Sequence, residues 1–358
     1  MWLKKMVLQT TVPTLKSMSL DIARQLSWSI AAKECNNFFD TRAHSQLVLQ
    51  GSRAVQDEQV VEFVNTVLDR KPLHQLLDQP QHLTEFVNNV GNWLQTHKHN
   101  QLLGLEQFEA DFSAGTTQSF DSFYWRYRNR RMRCVLGEYF YHVKSWTATN
   151  TNWAFINNQN PLMPGDALVL SFPFCDTGSA PLNYNQLMTQ CDELGIPVLI
   201  DACYYTISHG VCIDLQHQCI DTVAFSLSKA FPVSHLRIGV RYTQPNSFDG
   251  QKLHNSINYN NVVSGYVGKK LIEHFSSDYI YNVYQQRQQQ VCKVLGLTPS
   301  NSVLFGVGDH TWNQYNRANL LKSYKLDLDP TLFVNRISLT GVFDNWAIFE
   351  ALTNEHKT

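Results

Sequence analysis

The sequence lacks an excess of charge of either sign, and it lacks long apolar runs. Against 29 Lys and Arg residues stand 30 Asp and Glu residues in a chain of 358, so we expect neither nucleic acid nor an anionic membrane as a main partner. No stretch approaches about 18 consecutive apolar residues, so we expect no membrane span. Residues 1–16 contain no apolar run of signal-peptide length, which favours a cytoplasmic protein.

The eight cysteines form no CxxC pair and show no metal-ligand spacing with histidine. They are Cys35, Cys134, Cys175, Cys191, Cys203, Cys212, Cys219 and Cys292. Scattered cysteines in a chain of this size are typical of reduced core residues in a cytosolic protein. The sequence therefore predicts free thiols and no bound metal.

A cluster of arginines with two aromatic residues lies near the end of a predicted helix. It comprises Arg126, Arg128, Arg130, Arg131 and Arg133, with Trp125 and Tyr127. Basic and aromatic residues together can indicate nucleic-acid binding. Because cations suit a helix C-terminus and the net charge is near zero, the pattern favours a solvated face instead.

The periodicity of apolar residues predicts an α/β fold. Residues 1–95 look largely helical, whereas short apolar runs alternate with helical stretches from about residue 107 onwards. The runs are Phe108–Phe112, Cys134–Leu136, Ala167–Phe172, Pro197–Ile200 and Thr222–Phe225. Several are apolar on both faces, as in strands buried in a parallel sheet, and Gln186–Leu194, ended by Gly195, is typical of a crossover helix. We expect a mostly parallel sheet with helices on both faces, plus a smaller α/β domain.

The length predicts about two domains, at roughly 100–200 residues each. We expect an N-terminal helical segment over 1–95 that contributes to the small domain or to a dimer interface. A large domain over 96–295 follows, and a small C-terminal domain covers 296–358. A long helical region, roughly Val267 to Leu295 and ended by Gly296 and Pro299, separates the last two.

Three predicted strand ends contain unusual polar groups. The first runs from Asp111 through Gly115 into a probable helix. Glycine allows a ligand to approach the backbone closely there, and the helix amides favour an anion. A glycine at such a turn is nevertheless more often structural. The second places Asp201 after an apolar strand, either as a helix cap or loop residue or as a buried anion that needs a cationic partner.

The third strand end places Lys229 just after an apolar run. A desolvated lysine has a lowered pKa and becomes a usable amine nucleophile, whereas a lone lysine here would more simply be a surface loop residue. Ser226, Ser228 and Arg237 add hydrogen-bond donors suited to phosphate.

Together these segments resemble the class I/II aminotransferases of pyridoxal 5′-phosphate (PLP) fold type I. The family's Ser-x-Ser-Lys motif, followed after seven residues by Arg-x-Gly, is present in full at Ser226, Ser228, Lys229, Arg237 and Gly239. Its Asp-x-x-Tyr pattern is found at Asp201 and Tyr204. The order along the chain is also the family's, over about residues 110–340.

The resemblance implies a role for each matching residue. Lys229 would hold PLP as a Schiff base and move the substrate α-proton, and Asp201 would pair with the protonated pyridine nitrogen so that the ring acts as an electron sink. Tyr204 would donate to the phenolic oxygen O3′, Tyr141 would stack on the ring, and Arg336 would bind the substrate α-carboxylate. The remaining cofactor-binding residues would be Gly115, Thr116, Thr117, Ser226, Ser228 and Arg237, chiefly at the phosphate.

The chain departs from the family pattern at two places. The family's Asn-Pro-Thr-Gly appears as Cys175-Asp176-Thr177-Gly178, so the weak donor Cys175 takes the position of the asparagine that donates to O3′. In addition, no N-terminal tyrosine matches the one that reaches the neighbouring subunit's phosphate in the family.

The resemblance implies a PLP-dependent aminotransferase that acts on an amino acid and a keto acid. Two alternatives stay open: another fold type I reaction, by a lyase, decarboxylase or oxidase, or a non-catalytic relative that binds PLP or an amino acid. Family members build each site at a subunit interface, and two-fold dimers are the commonest assembly, so a homodimer is expected.

Overall fold

The computed structural model describes residues 52–245, 247–309, 312, 334–347 and 349–350. These residues fall into two compact units, of which the larger comprises 56–283 and 301–303. Most of the predicted N-terminal segment lies outside the described residues, and its described helices belong to the larger unit. The boundaries of this unit differ from the domain divisions predicted at residues 95 and 295. Those divisions stay a prediction about domain organisation.

The larger unit begins with three helices: α1 (Glu58–Asp69), α2 (Leu73–Leu77) and α3 (Gln81–Gln95). The Asp57 side chain accepts a hydrogen bond from the Val60 amide and so caps the start of α1. The apolar stripe of α3, which includes Phe86, Val90 and Leu94, is buried. These helices therefore form part of the larger unit's core.

A seven-stranded sheet lies at the centre of the larger unit. In chain order, the unit's strands are β1 (Gln101–Leu103), β2 (Glu109–Ala114), β3 (Arg131–Cys134), β4 (Trp153–Phe155), β5 (Asp166–Ser171), β6 (Val198–Asp201), β7 (Cys212–Asp214), β8 (Ile220–Ser226) and β9 (Ile238–Thr243). The sheet order is β2-β9-β8-β6-β5-β3-β4, with β9 antiparallel to both neighbours and the other pairs parallel. Separately, β1 pairs with β7. All five predicted apolar runs overlap strands of the large sheet.

Helices follow β2, β3 and β5, and three more follow β9. They are α4 (Thr116–Arg126), α5 (Phe140–Ala148), α6 (Tyr184–Leu194), α7 (Gly250–Ser256), α8 (Val262–His274) and α9 (Tyr279–Leu295). Gly195 follows α6 with φ 61°, which confirms the predicted end of the crossover helix. The fold is α/β, with a mostly parallel sheet flanked by helices.

The helical region predicted from about Val267 to Leu295 consists of two helices, α8 and α9, with a short break between them. Phe275 has an extended backbone (φ −105°, ψ 139°). Its carbonyl oxygen accepts a hydrogen bond of 2.7 Å from the Trp93 indole instead of a bond within a helix. A buried tertiary contact therefore interrupts a pattern that looks continuous in the sequence.

The solvated helix face predicted for the arginine cluster is wrong for Arg131 and Arg133, which lie on β3. The Arg133 side chain is 0% exposed and forms an ion pair with Asp166, which also pairs with Arg131 at 2.7 Å. Arg133 donates further bonds to carbonyl oxygens, including that of Pro161 at 2.9 Å. A buried cation with a carboxylate partner and several acceptors is a structural ion pair of the sheet.

The described part of the smaller unit contains an antiparallel sheet of β10 (Thr298–Pro299), β11 (Phe305–Gly308) and β12 (Asn335–Ser338). The short helix α10 (Thr340–Phe343) follows. Among the described residues, no helix is both long enough and apolar enough to cross a membrane.

Candidate active site

Most of the predicted site segments lie at one edge of the large sheet, the edge formed by the carboxyl ends of its parallel strands. The neighbouring strands β5 and β6 end together there, with Ser171 opposite Asp201. Since β9 is antiparallel, it begins at this edge, and its Gly239 lies opposite Ser226 at the end of β8. The same strand pairs with the end of β2, just before Gly115. Open α/β sheets bind their ligands at this edge.

Asp201 and Lys229 lie close enough to interact electrostatically. Asp201, the last residue of β6, is 2% exposed, and its Oδ1 accepts the Cys203 backbone N–H at 3.1 Å. Burial raises the pKa of Asp201 to about 6, against the opposing effects of the Cys203 hydrogen bonds and the positive charge of Lys229. Lys229 is half-buried after β8. The predicted carboxylate and amine therefore lie at or just after the ends of neighbouring parallel strands.

Gly115 and Arg237 form a compact cradle at the start of α4. Gly115 has φ 72°, and a Cβ atom added there would lie 2.7 Å from Cζ of Arg237. The Arg237 guanidinium also donates to Thr117 Oγ1 at 2.8 Å. On the other side, a Cβ on Gly239 would lie 2.9 Å from Gly115 Cα. A guanidinium beside the first amides of a helix is an arrangement suited to phosphate.

The turn that leads to Lys229 is fixed by two buried serines. The Ser228 amide donates to Ser226 Oγ at 3.2 Å, and the two hydroxyl oxygens are 2.9 Å apart. Ser226 Oγ also lies 3.2 Å from the Ile238 carbonyl oxygen. The serines thus connect the end of β8 to the start of β9, beside Arg237, while Thr116 is buried as the first residue of α4.

Cys175 lies beside Tyr204. The resemblance described above assigns both side chains to one oxygen, O3′ of PLP. Its Sγ is 3.8 Å from the Tyr204 hydroxyl, and both side chains are buried. The Cys175 amide donates to Ser171 Oγ at 2.8 Å, which fixes the turn after β5.

Tyr141 contacts a carboxylate, and its predicted ring-stacking role stays a prediction. Its hydroxyl lies 2.9 Å from each carboxylate oxygen of Asp121 on α4. Burial first, and then Asp121, raise the pKa of Tyr141 to about 12. The Tyr139 ring is nearly parallel to it at 6.0 Å, so Tyr139 is a second aromatic candidate that the sequence analysis missed.

Arg336 is buried on β12 of the smaller unit. Its guanidinium carbon lies 4.5 Å from the centre of the Phe305 ring, a cation–π contact that holds the side chain. Binding of a substrate carboxylate by Arg336 stays a prediction.

Glu138 is a buried acid that the sequence analysis did not single out. It lies four residues after the end of β3, whereas Asp201 ends β6, and an acid just after an apolar run was the available signal. Glu138 accepts hydrogen bonds from Ser171, from the amide at 2.7 Å and from the hydroxyl at 2.5 Å. Within the described parts of the chain, no group of three or more His, Cys, Asp or Glu side chains could hold a metal.

No family model matches the chain, and no curated protein matches it. Solved structures do match. N-succinyldiaminopimelate aminotransferase from Mycobacterium tuberculosis has a TM-score of 0.61 at 10% identity, covering 85% of this chain and 92% of that chain. The aromatic aminotransferase from Pyrococcus horikoshii has a TM-score of 0.57 at 14% identity, with 87% and 94% covered.

A lyase has the same fold. The PLP-bound C–S lyase from Staphylococcus hominis has a TM-score of 0.58 at 11% identity, covering 85% of this chain and 90% of that chain. The chain therefore has the fold of these aminotransferases and this lyase, PLP fold type I, which confirms the predicted fold class.

The glycine of the cradle allows a direct test. Gly115→Ala is expected to displace Arg237 and to weaken binding of an anion in the cradle, such as the phosphate of PLP, by about tenfold or more, as expected when a charge-assisted bond is lost. Titration with PLP, followed by absorbance, measures the affinity. Gly165→Ala is the control, because Gly165 also has positive φ (91°) but a Cβ there meets nothing within 4 Å. Equal affinities in both variants would contradict the cradle.

Proposed function

We propose that the chain binds PLP covalently through Lys229 and acts at the α-carbon of an amino acid, as an aminotransferase. The observation that carries this proposal is the position of the buried Asp201 at the end of β6 and of Lys229 just after the neighbouring β8, at the sheet edge that also holds the Gly115–Arg237 cradle. Each of the three features suits one part of PLP: its aldehyde, its ring nitrogen and its phosphate.

The residues present fit the cofactor. The cradle of Gly115, Thr117 and Arg237 offers a guanidinium and helix amides to a phosphate, and the adjacent Ser226 and Ser228 turn supplies hydroxyl groups. A cationic ring nitrogen would partner the buried Asp201 carboxylate, whose charge is otherwise costly in this position. Tyr204 and Cys175 offer a phenol and a thiol to one oxygen.

When bound, PLP supplies an electron-withdrawing ring that stabilises negative charge at the substrate α-carbon. The Lys229 amine would hold the cofactor covalently and would take the α-proton of the substrate and return it. Asp201 would keep a proton on the ring nitrogen, and Tyr204 would orient the phenolic oxygen. Arg336 is the candidate for binding the substrate α-carboxylate.

A panel of amino acids, each mixed with a keto acid, tests the reaction type. An aminotransferase converts the added keto acid into its amino acid, and the Lys229→Ala variant is the control without activity. The C–S lyase among the structural matches makes β-elimination from cysteine-type substrates the second candidate, which would release pyruvate, ammonia and a thiol without a keto-acid acceptor. Loss of CO₂ would indicate a decarboxylase and oxygen uptake an oxidase, whereas no turnover would indicate a binding protein.

We further propose a cytoplasmic homodimer. The seven described cysteines are free, which supports a reducing compartment. Light scattering is expected to give twice the chain mass of 41.2 kDa at concentrations where the enzyme is active. A fully active monomer would contradict the dimer.

The position of the Cys175 thiol beside Tyr204 leads to a spectroscopic prediction. Cys175→Asn adds a strong neutral donor to the phenolic oxygen of PLP and stabilises its ionised form, which competes with the nitrogen of the lysine link for a shared proton. The pH at which the visible band changes is therefore expected to fall by about half a unit or more, since a hydrogen bond contributes about 0.5–1.5 kcal/mol.

A pH titration of the absorbance measures this shift, and the exposed Cys212→Asn is the matched control. Combining Cys175→Asn with Tyr204→Phe is expected to show coupling, because both groups address one oxygen. A curve for Cys175→Asn identical to that of the wild type would show that Cys175 does not face the cofactor.

A further inference from the structure

Glu138 is a buried acid for which the proposed reaction has no use. It lies between β3 and α5 and is 8% exposed. Its Oε1 accepts the Ser171 amide at 2.7 Å, while its Oε2 accepts the Ser171 hydroxyl at 2.5 Å and the Tyr139 amide at 3.3 Å. One side chain from the end of β3 therefore holds the end of β5.

Hydrogen bonds lead from Glu138 to the residues proposed to face O3′. Ser171 Oγ, which donates to Glu138, accepts the Cys175 amide at 2.8 Å. The Cys175 thiol in turn lies 3.8 Å from the Tyr204 hydroxyl. A change at Glu138 is thus transmitted through two contacts to the Cys175–Tyr204 pair.

Glu138 also interacts with Asp201 electrostatically. Burial raises the pKa of Glu138 to about 7, the two Ser171 hydrogen bonds oppose this, and the charge of Asp201 raises it further. Among the described residues, the Cys134 thiol on β3 also interacts with Glu138, and burial together with the Glu138 charge raises the pKa of the thiol. Two acids, Glu138 and Asp201, thus lie at the same edge of the sheet, with Ser171 between them.

We propose that Glu138 is a positioning residue of the cofactor site: it holds Cys175 against Tyr204 through Ser171, and its negative charge acts on Asp201 and the bound cofactor. This inference rests on the proposed function. It assigns to an acid outside the family motif a role in setting the pH response of the site.

The test uses the PLP-loaded full chain and compares Glu138→Gln with the wild type. Glutamine keeps an oxygen for the Ser171 amide but removes the charge. Because a nearby anion favours the protonated form of the lysine–cofactor link, its loss is expected to lower the pH of the visible-band transition by about half a unit or more. Asp192→Asn is the control, since it removes a carboxylate that bonds to His217 and the Cys219 amide, before β8 begins.

Ser171→Ala gives a second readout because it keeps the Glu138 charge and breaks the link to Cys175. The dissociation constant for PLP is expected to rise about 3- to 10-fold, equivalent to one hydrogen bond. A band transition and an affinity in Glu138→Gln that both match the wild type would overturn the inference. If Glu138→Gln does not fold, an unchanged affinity in Ser171→Ala overturns it.

Failure of the proposed function has a different signature. In that case the wild type itself shows no visible band and no cofactor fixed to Lys229 by borohydride, and the inference fails with it. A normal wild-type band together with unresponsive variants removes only the role of Glu138.

Discussion

Replacing Lys229 with alanine is expected to abolish the covalent attachment of PLP. The reduction of turnover is expected to reach about 10²–10⁴-fold or more, since loss of positioned proton transfer alone has that effect. The physical reason is the position of the amine: it follows the buried strand β8, beside the Asp201 carboxyl, after a turn fixed by Ser226 and Ser228.

Absorbance, borohydride reduction and peptide mapping measure the attachment. The wild-type protein should be yellow, and reduction should remove the visible band and fix the cofactor on the peptide that contains Lys229. Lys270→Ala is the matched control, because this lysine forms an ion pair with Glu273 on the surface of α8. Reduced cofactor on another lysine would refute the assignment.

Asp201→Asn is expected to bind PLP but to lose about 10²-fold or more of turnover, a typical cost of removing one preorganised electrostatic partner. A neutral amide no longer holds a proton on the ring nitrogen, so the ring withdraws electrons less strongly. Steady-state kinetics with the substrate found in the amino-acid panel measures the loss. Near-normal turnover would contradict the role of the carboxylate.

The same variant also leads to a prediction about stability in the absence of PLP. There the expected effect is a gain, whereas the expected effect on turnover is a loss. The pKa of Asp201 is raised from 3.8 to about 6 in the folded protein. The folded state therefore holds this proton more tightly, and the stability contributed by the group is lost as pH rises from about 4 to about 6. Asparagine does not titrate, so it avoids this loss.

Between pH 4.5 and 7.5, the free energy of unfolding of Asp201→Asn should rise relative to the wild type by roughly 2 kcal/mol. Urea unfolding of both proteins without PLP at the two pH values measures the difference. Asp192→Asn serves as the control, since its carboxyl has a lowered pKa. A difference that does not change with pH would show that Asp201 is not buried as described. A variant that is more stable yet inactive would show a stability cost at a functional position.

The sequence predicted five of the seven strands of the large sheet, because strands buried on both faces are continuous apolar runs. It also placed Asp201 and Lys229 after two such runs, and these runs are the parallel neighbours β6 and β8. The strands β4 and β9 were not predicted, although Arg237 and Gly239 at the start of β9 were recognised by their motif. Local pattern alone does not reveal that β9 runs antiparallel and returns to this edge.

The other differences between prediction and structure arise from tertiary contacts. Arg133 reads as a surface cation until its partner Asp166, on the neighbouring strand, is known. The break between α8 and α9 depends on an indole from α3. Glu138 belongs to no motif, and its connection to the site runs through Ser171 on β5. Each of these depends on a residue distant in the sequence.

The position of β2 in the sheet has a consequence for synthesis of the chain. β2 is an outermost strand of the seven-stranded sheet and pairs with β9, the last strand of that sheet to leave the ribosome. Until residues 238–243 have been translated, β2 has no partner in the sheet, and Gly115 has no Arg237 beside it. Unpaired strand edges in incomplete chains promote aggregation. Nascent chains that stall before residue 237 therefore expose the unpaired β2 and lack the contact between Gly115 and Arg237.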